Sequence, residues 1–278
     1  MEKDLTVENI RRMNYTDFIS LIKEENRPPG GKKTIQEILL NSFIKKEDKV
    51  LEVGCTNGFT SLEIARILGC DVLGIDINKN SLLNAKKRVR KEKVHFQYGD
   101  ACKIPFRDES FDLVICSNAT SFMGRKTEAI KEYIRVLKPW KFIAMTPMYY
   151  IKEPPIKIVK SVSYIIGVNI DIRSKKDWLD IIKKAELEVY YVSDYIFRTR
   201  TRKEINHFVE KSLDKDYIKG MPLEIIKEIK ERWFNILCVF NENLKYVGYS
   251  VILLRKRIEP EEAELFEDVH LLNKEINK

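Results

Sequence analysis

Residues 50–65 restrict the fold of this chain more than any other segment. Val50–Val53 is apolar except for Glu52, the following turn contains Gly54 and Gly58, and an amphipathic helix is predicted from Thr60. Because glycine has no side chain, the backbone of such a turn can approach a flat adenosine-type ligand closely. The segment therefore predicts a strand, a ligand-binding turn and a helix of an α/β fold.

The position of the next acidic residue supports this interpretation. Asp76 follows the apolar segment Asp71–Ile75 and comes 22 residues after Gly54, since 76 − 54 = 22. A carboxylate about 20 residues after the glycine turn binds ribose hydroxyls in such folds. Dinucleotide-binding turns have the pattern G-x-G-x-x-G, but here Thr56 and Phe59 stand at the later glycine positions. Phe59 would crowd a pyrophosphate, so the spacing disfavours NAD and FAD.

This turn resembles the first motif, E/D-x-G-x-G-x-G, of the class I S-adenosyl-L-methionine (SAM)-dependent methyltransferases. The resemblance continues in order along the chain, through Gly99–Ala101 after a predicted third strand, the fourth strand Phe111–Cys116, and Leu137–Pro139 before a fifth strand. Four ordered matches over about 100 residues are much more specific than one glycine turn. Thr56 and Trp140-Lys141 depart from the family, which usually has glycines at those places.

The resemblance implies SAM as the cofactor, with S-adenosyl-L-homocysteine as its product. In this family, Glu52 and Gly54 would receive the methionine end, Asp76 would bind the ribose, and Asp100 would accept from the adenine amino group. The predicted cofactor-binding residues are Glu52, Gly54, Cys55, Gly58, Asp76, Ile77, Asp100, Ala101, Ser117 and Asn118. The sequence assigns no catalytic base and no metal ligand.

Alternating strand and helix patterns predict an α/β fold for the whole chain, as one methyltransferase domain over residues 1–278. The expected architecture is a Rossmann-like, doubly wound and mostly parallel seven-stranded sheet with an antiparallel last strand and helical insertions. Residues 1–34 either form a lid over the cofactor or pack as ordinary N-terminal helices. The other predicted parts are a cofactor-binding core at 35–150, helical insertions at 151–174 and 200–243 (the latter with two helices), the last strand at 244–257, and an acidic helical tail at 258–278.

Charge and composition bear on partners and location. The net charge is +8, but residues 258–278 contain seven acids and two lysines, so residues 1–257 carry +13. A basic surface attracts nucleic acid, yet no RNA-binding motif is present and the lysines are dispersed, so RNA is not the favoured partner. The tail has Phe266, Val269 and Leu272 near one predicted face, and it is a candidate contact with the basic body or with a second copy in a homo-oligomer.

The cysteine and hydropathy patterns predict a cytoplasmic protein. Five cysteines without CxxC spacing indicate neither a disulfide framework nor a metal site. We find no apolar run of about 18 residues and no signal-peptide pattern, so we expect no transmembrane segment. The apolar residues 158–170 are interpreted as a buried helix, a site for a hydrophobic acceptor or a contact with a membrane surface.

Three functions remain open at this stage. The leading hypothesis is methyl transfer from SAM to a small-molecule acceptor, because two insertions are available to enclose a substrate. An RNA or protein acceptor is the second, although the N-P-P-Y and Pro-Cys motifs of base methylation are missing. The third is a regulatory subunit that binds the cofactor without catalysis. Candidate acceptor contacts are Ser117, Asn118, Thr120 and Ser121 after strand four, and Tyr149 and Tyr150 after strand five.

Overall fold

The computed structural model describes residues 5–25 and 27–259. Within them, a central sheet is covered by helices on both faces. The strands are β1 (Lys49–Val53), β2 (Asp71–Asp76), β3 (Val94–Tyr98), β4 (Phe111–Cys116), β5 (Leu137–Met145), β6 (Met148–Tyr150), β7 (Glu188–Ile196) and β8 (Val247–Arg255). The helices are α1 (Val7–Arg12), α2 (Tyr15–Leu21), α3 (Lys32–Asn41), α4 (Phe59–Leu68), α5 (Lys79–Arg88), α6 (Lys126–Val136), α7 (Ile156–Ile166), α8 (Lys175–Lys183), α9 (Arg202–Ser212), α10 (Asp216–Lys219) and α11 (Leu223–Asn243).

The strand order confirms the predicted fold class. Strands β3, β2, β1, β4 and β5 are adjacent in that order and parallel, and β8 pairs antiparallel with β5. The other edge of β8 pairs with β7. The structure has eight strands within its described residues rather than seven, because β5 and β6 pair with successive parts of β8 and are separated at Thr146–Pro147. Proline has no N–H to donate to a ladder, which explains the interruption.

Each face of the sheet has its own apolar core, as expected of a doubly wound fold. On one face, α3, α4 and α5 bury residues such as Ile38, Leu62 and Ala85. On the other face, α6 and α8 bury Tyr133 and Trp178. All six residues of β4 are buried, which agrees with its nearly continuous apolar sequence.

A third apolar cluster lies outside the sheet and is formed by helices from both halves of the sequence. We call α1, α2, α9, α10 and α11 the helical cap, because their apolar faces pack together. Phe18 of α2 contacts Trp233 of α11, with ring centroids 6.2 Å apart. The segment 200–243 was predicted to contain two helices, but the short α10 lies between the two longer ones. The cap therefore joins the N-terminal segment to the second insertion.

Two further expectations concern membranes and the C terminus. Among the described residues, no helix has the length and apolar character needed to cross a bilayer. The predicted acidic helical tail at 258–278, with its proposed role in a homo-oligomer, falls almost entirely on residues 260–278 and so lies outside the described residues.

Candidate functional site

The glycine turn connects β1 to α4 at the carboxyl edge of the sheet. Gly54 and Gly58 both have a φ of +77°, a conformation that side chains rarely permit. A Cβ atom at Gly54 would lie 2.6 Å from the Cβ of Ala119, and one at Gly58 would lie 2.5 Å from Cζ of Phe96. Close packing of the turn on neighbouring loops and strands therefore also requires both glycines, in addition to any approach of a ligand.

The two departures from the family's glycine pattern keep a left-handed backbone. Thr56 has a φ of +44° and Trp140 has a φ of +62°. A β-branched residue in this region is strained by the contact of its side chain with the backbone. Both positions thus have a backbone conformation that glycine adopts more readily, although each carries a side chain.

Asp76 links the glycine turn to the connection between β2 and α5 through hydrogen bonds. Its carboxylate accepts a hydrogen bond from the Thr56 backbone N–H at 2.9 Å and one from the Asn78 backbone N–H at 2.8 Å. Burial raises the pKa of the Asp76 carboxyl, and the backbone hydrogen bonds act in the opposite direction. Each carboxylate oxygen has a second lone pair, so the group retains acceptor capacity for hydroxyls of a ligand.

Glu52, at the end of β1, is buried and contacts the first turn of α4. Its carboxylate accepts a hydrogen bond from the Ser61 backbone N–H at 2.8 Å and another from the Ser61 hydroxyl. Burial raises the pKa of the Glu52 carboxyl to about 7, against the lowering effect of hydrogen bonds from Ser61 and Thr60. A helix N-terminus favours such an acceptor. The predicted contact of Glu52 with a methionine end remains a prediction.

The tips of β2 and β3 lie side by side and carry the residues predicted for adenosine. Asp76 pairs with Tyr98 in the ladder, so Ile77 and Asp100 follow adjacent strand ends. The Ile77 residue is 67% exposed although it is apolar. The Asp100 side chain is 44% exposed, and its carboxylate accepts a hydrogen bond from the Cys102 backbone N–H at 2.8 Å. The same carboxylate forms an ion pair with the Arg125 guanidinium at 3.3 Å. This edge offers an apolar surface beside a carboxylate.

Polar groups after β4 and β5 complete the edge. The Ser117 and Thr146 hydroxyl oxygens are buried and have no hydrogen-bond partner among the described residues. Their backbones are adjacent, because the Thr146 N–H donates to the Ser117 carbonyl at 2.9 Å. The Asn118 side-chain oxygen accepts from the Ser121 hydroxyl at 2.6 Å. A buried hydroxyl without a partner is costly unless a water or ligand satisfies it.

The remaining predicted site residues offer their backbones rather than their side chains. Cys55 and Ala101 are buried, at 1% and 5% exposure, and Gly58 is the N-cap residue of α4. Burial, with Glu52 and Asp76 nearby, raises the pKa of the Cys55 thiol. Cys55 therefore lacks the environment of a reactive thiolate.

The N-terminal segment lies against the glycine turn and α5 through hydrogen bonds from three asparagines that were not predicted as site residues. The Asn57 side chain donates to the Glu24 carbonyl at 2.6 Å, that of Asn78 to the Asp17 carboxylate at 2.9 Å, and that of Asn84 to the Ser20 carbonyl at 2.9 Å. Asparagine in a turn or at a helix start is common, so their types alone gave no signal. These contacts place the helical cap next to the carboxyl edge of the sheet.

This arrangement fits the cofactor that the resemblance implies. Successive strand ends bring together the buried carboxylate of Asp76, the exposed Ile77 side chain, the partly exposed carboxylate of Asp100 and the unpartnered hydroxyl of Ser117. An adenosylated ligand presents ribose hydroxyls, an apolar ring and polar groups at its ends, for which these are suitable partners. Among the described residues, no group of acidic, histidine and cysteine side chains is arranged to hold a metal ion.

Comparison with known proteins agrees with the geometry. Residues 50–140 match a family described as a methyltransferase domain. An uncharacterized protein of Haemophilus influenzae is 31% identical over 175 residues, which cover 61% of this chain and 70% of that protein. Methyltransferase GfsG of Streptomyces halstedii is 31% identical over 114 residues, and the matched region covers 40% of this chain and 41% of GfsG.

Solved structures share the fold. The MccD protein superposes with a TM-score of 0.70 at 22% identity, over 84% of this chain and all of MccD (100%). A SAM complex of phosphoethanolamine N-methyltransferase 2 from Haemonchus contortus has a TM-score of 0.65 at 16% identity, over 92% of this chain and 61% of that one.

These findings define the class of the protein. The chain belongs to the class I SAM-dependent methyltransferases. It is accordingly an enzyme of this family, with SAM as its cofactor.

Proposed function

We propose that this enzyme transfers the methyl group of SAM to a small-molecule acceptor that binds between the carboxyl edge of the sheet and the helical cap. The position of the cap is the observation that carries the proposal. The hydrogen bonds of Asn57, Asn78 and Asn84 join the cap's N-terminal segment directly to the glycine turn and to α5. An acceptor in this place would be enclosed, which favours a compact substrate over an extended polymer.

The residues at the strand ends have separate proposed tasks. Asp76 would bind the ribose hydroxyls, Ile77 would pack on the adenine ring, and Asp100 would accept from the adenine amino group. Gly54, Cys55, Gly58 and Ala101 would contact the cofactor through their backbones. When bound, SAM would supply an electrophilic methyl carbon for in-line attack by the acceptor's nucleophilic atom, with S-adenosyl-L-homocysteine as the leaving group when the carbon–sulfur bond breaks.

For the methionine end of the cofactor we propose contacts with Ser117 and Asn118, and with Glu52 at the glycine turn. The Ser117 hydroxyl has no partner among the described residues, so it is available to a polar group of the methionine moiety or of the acceptor. The chain's part in the reaction would be to align the acceptor and to exclude water, which requires no dedicated base if the acceptor's nucleophilic atom carries no proton to be removed.

Named relatives support a small acceptor. A 27-O-demethylrifamycin SV methyltransferase of Amycolatopsis mediterranei is 29% identical over 115 residues, and norajmaline N-methyltransferase of Rauvolfia serpentina is 33% identical over 99 residues. Both names specify small molecules. The matches cover 42% and 34% of those two proteins, so they support the class of acceptor and not its identity.

The proposed location is the cytoplasm. The five cysteines are free in the structure, and three of them are buried. Free cysteines that act as small apolar residues suit a reducing compartment.

Two measurements test the function. Calorimetry with cofactor-free protein should show binding of SAM and S-adenosyl-L-homocysteine, and Asp76→Ala should weaken it at least about tenfold because a carboxylate hydrogen-bonded to ribose is lost. Asp71→Ala is the matched control, since Asp71 lies in the same strand at its opposite end. Unchanged affinity in the Asp76 variant would contradict the proposed ribose site.

Transfer of radiolabelled methyl groups from SAM to fractionated cell extract then identifies the acceptor class. We expect label in the small-molecule fraction. Label in RNA, with binding that weakens steeply with salt, would favour the alternative suggested by the +13 charge of residues 1–257. Cofactor binding without labelling of any fraction would favour a regulatory subunit.

A further inference from the structure

Helix α7 presents an unusual outer face. Its residues Ile156, Lys160 and Tyr164 recur every four positions, so they form one stripe along the helix. Ile156 is 62% exposed and Tyr164 is 89% exposed, although both are large apolar residues. The opposite side of the helix buries Val159 and Val162. Burial of the inner face therefore anchors α7 to the protein, while the outer stripe is left in contact with solvent.

The exposed apolar residues around α7 form a concentrated group. Ile151, Val168 and Ile172 flank the helix and are at least 36% exposed, like Ile156 and Tyr164. Two surface grooves, of about 610 and 500 Å³, follow the helix and share Lys160 and Tyr164 in their walls. Exposed apolar groups collected on one segment indicate an interaction surface, whereas scattered ones do not. We call residues 151–172 the α7 surface.

Within the α7 surface, the helix itself carries only positive charge. Lys157 and Lys160 are the charged residues of α7, which contains no acid. Neither lysine forms an ion pair within the described part of the chain. The aliphatic stems of lysines can lie along apolar groups while their ammonium groups reach an anionic layer. A tyrosine with isoleucines and lysines is the composition of a helix that lies at a lipid–water interface.

We propose that the α7 surface docks on an anionic lipid bilayer, with Ile156 and Tyr164 inserted at the level of the head groups and Lys157 and Lys160 paired with lipid phosphates and carboxylates. We favour a bilayer over a protein partner because the outer face of α7 combines Ile156 and Tyr164 with two lysines and no acid. The acidic residues of the α7 surface, Glu153 and Asp171, lie beyond the two ends of the helix, and Asp171 pairs with Arg173. Docking requires neither SAM nor methyl transfer, so its test is independent of the proposed function.

Co-sedimentation of the full chain with unilamellar vesicles measures the proposed docking. Binding should be at least about tenfold tighter to phosphatidylcholine vesicles containing about 30% phosphatidylserine than to phosphatidylcholine alone, because each lysine near an anionic surface contributes about a fivefold factor. Lys157→Gln with Lys160→Gln should accordingly reduce binding to anionic vesicles about thirtyfold. Tyr164→Ser should reduce it about tenfold by removing interfacial apolar area.

Control substitutions of the same residue types elsewhere on the protein surface test whether the loss of vesicle binding is specific to the α7 surface. Lys45 and Lys46 are exposed in the loop after α3, and Leu40 is 77% exposed on α3. Lys45→Gln with Lys46→Gln removes the same charge, and Leu40→Ser removes a similar apolar group. Both should change vesicle binding less than twofold, since their positions lie outside the α7 surface.

Three results would overturn the proposal. One is no binding of the full chain to anionic vesicles. The second is an equal loss of binding in both double lysine variants, which would assign the attraction to the basic body as a whole. The third is a dimer in solution that Tyr164→Ser dissociates, without vesicle binding, because the α7 surface would then be an interface between copies of this chain.

Discussion

The buried carboxyl of Glu52 makes a quantitative prediction about stability. Burial raises its pKa to about 7 in the folded protein, from an ordinary value of 4.5. A carboxyl with a raised pKa holds its proton in the folded state after the unfolded chain has lost it. The stabilisation is therefore fully present below about pH 4.5 and is lost as the pH rises towards 7. A difference of about 2.5 pKa units corresponds to about 3 kcal/mol.

The substitution Glu52→Gln isolates this effect. Glutamine preserves the shape and can still accept from the Ser61 N–H, but it does not ionise. Relative to the wild type, the variant should gain about 3 kcal/mol in the free energy of unfolding between pH 4.5 and pH 8. Urea denaturation at several pH values measures this difference, and subtraction of the two curves removes the contributions of other titrating groups.

Two outcomes would refute this account. If the difference between variant and wild type is constant across the pH range, then Glu52 does not titrate with a raised pKa. If the wild type instead gains stability relative to the variant as pH rises, the carboxylate form is the favoured one in the folded protein. The hydrogen bonds from Ser61 would then outweigh the desolvation cost.

Three other predictions concern the turn and its neighbours. Thr56→Asn should raise the free energy of unfolding by about 1 kcal/mol in thermal denaturation, because asparagine tolerates the φ of +44° better than a β-branched residue; no change would argue against strain. Ser117→Ala should raise the free energy of unfolding of the ligand-free protein by about 1 kcal/mol, since it removes a buried hydroxyl that has no partner among the described residues, yet weaken ligand binding in calorimetry; a loss of stability would show that the hydroxyl is satisfied in the free protein. Asn57→Ala should speed amide exchange in α2 about fivefold by removing the bond to the Glu24 carbonyl, with Asn206→Ala on the exposed face of α9 as the control. Equal amide exchange rates of α2 in the two variants would show that the hydrogen bond from Asn57 to the Glu24 carbonyl does not hold the N-terminal segment at the glycine turn.

The comparison of sequence and structure shows which site features are local. The order of strand, glycine turn and helix, and the acidic residues at 76 and 100, are read directly from the chain, since each depends on residues close in sequence. The sequence predicted that Gly54 and Gly58 allow a ligand to approach the backbone, but not that both are also required by close packing. Gly58 adjoins Phe96 of β3, a residue far away in sequence, and no local pattern reports such a contact.

The sequence by itself determined the alternation of strands and helices, the family, and the positions of Glu52, Asp76 and Asp100 at strand ends, because hydrophobic period and turn chemistry are properties of short segments. Only the tertiary structure decided that the N-terminal helices join residues 200–243 in one cap, and that α7 buries one face and exposes the other. Those outcomes depend on which distant surfaces meet, and an amphipathic segment packs equally well on several apolar partners until the complete fold selects one.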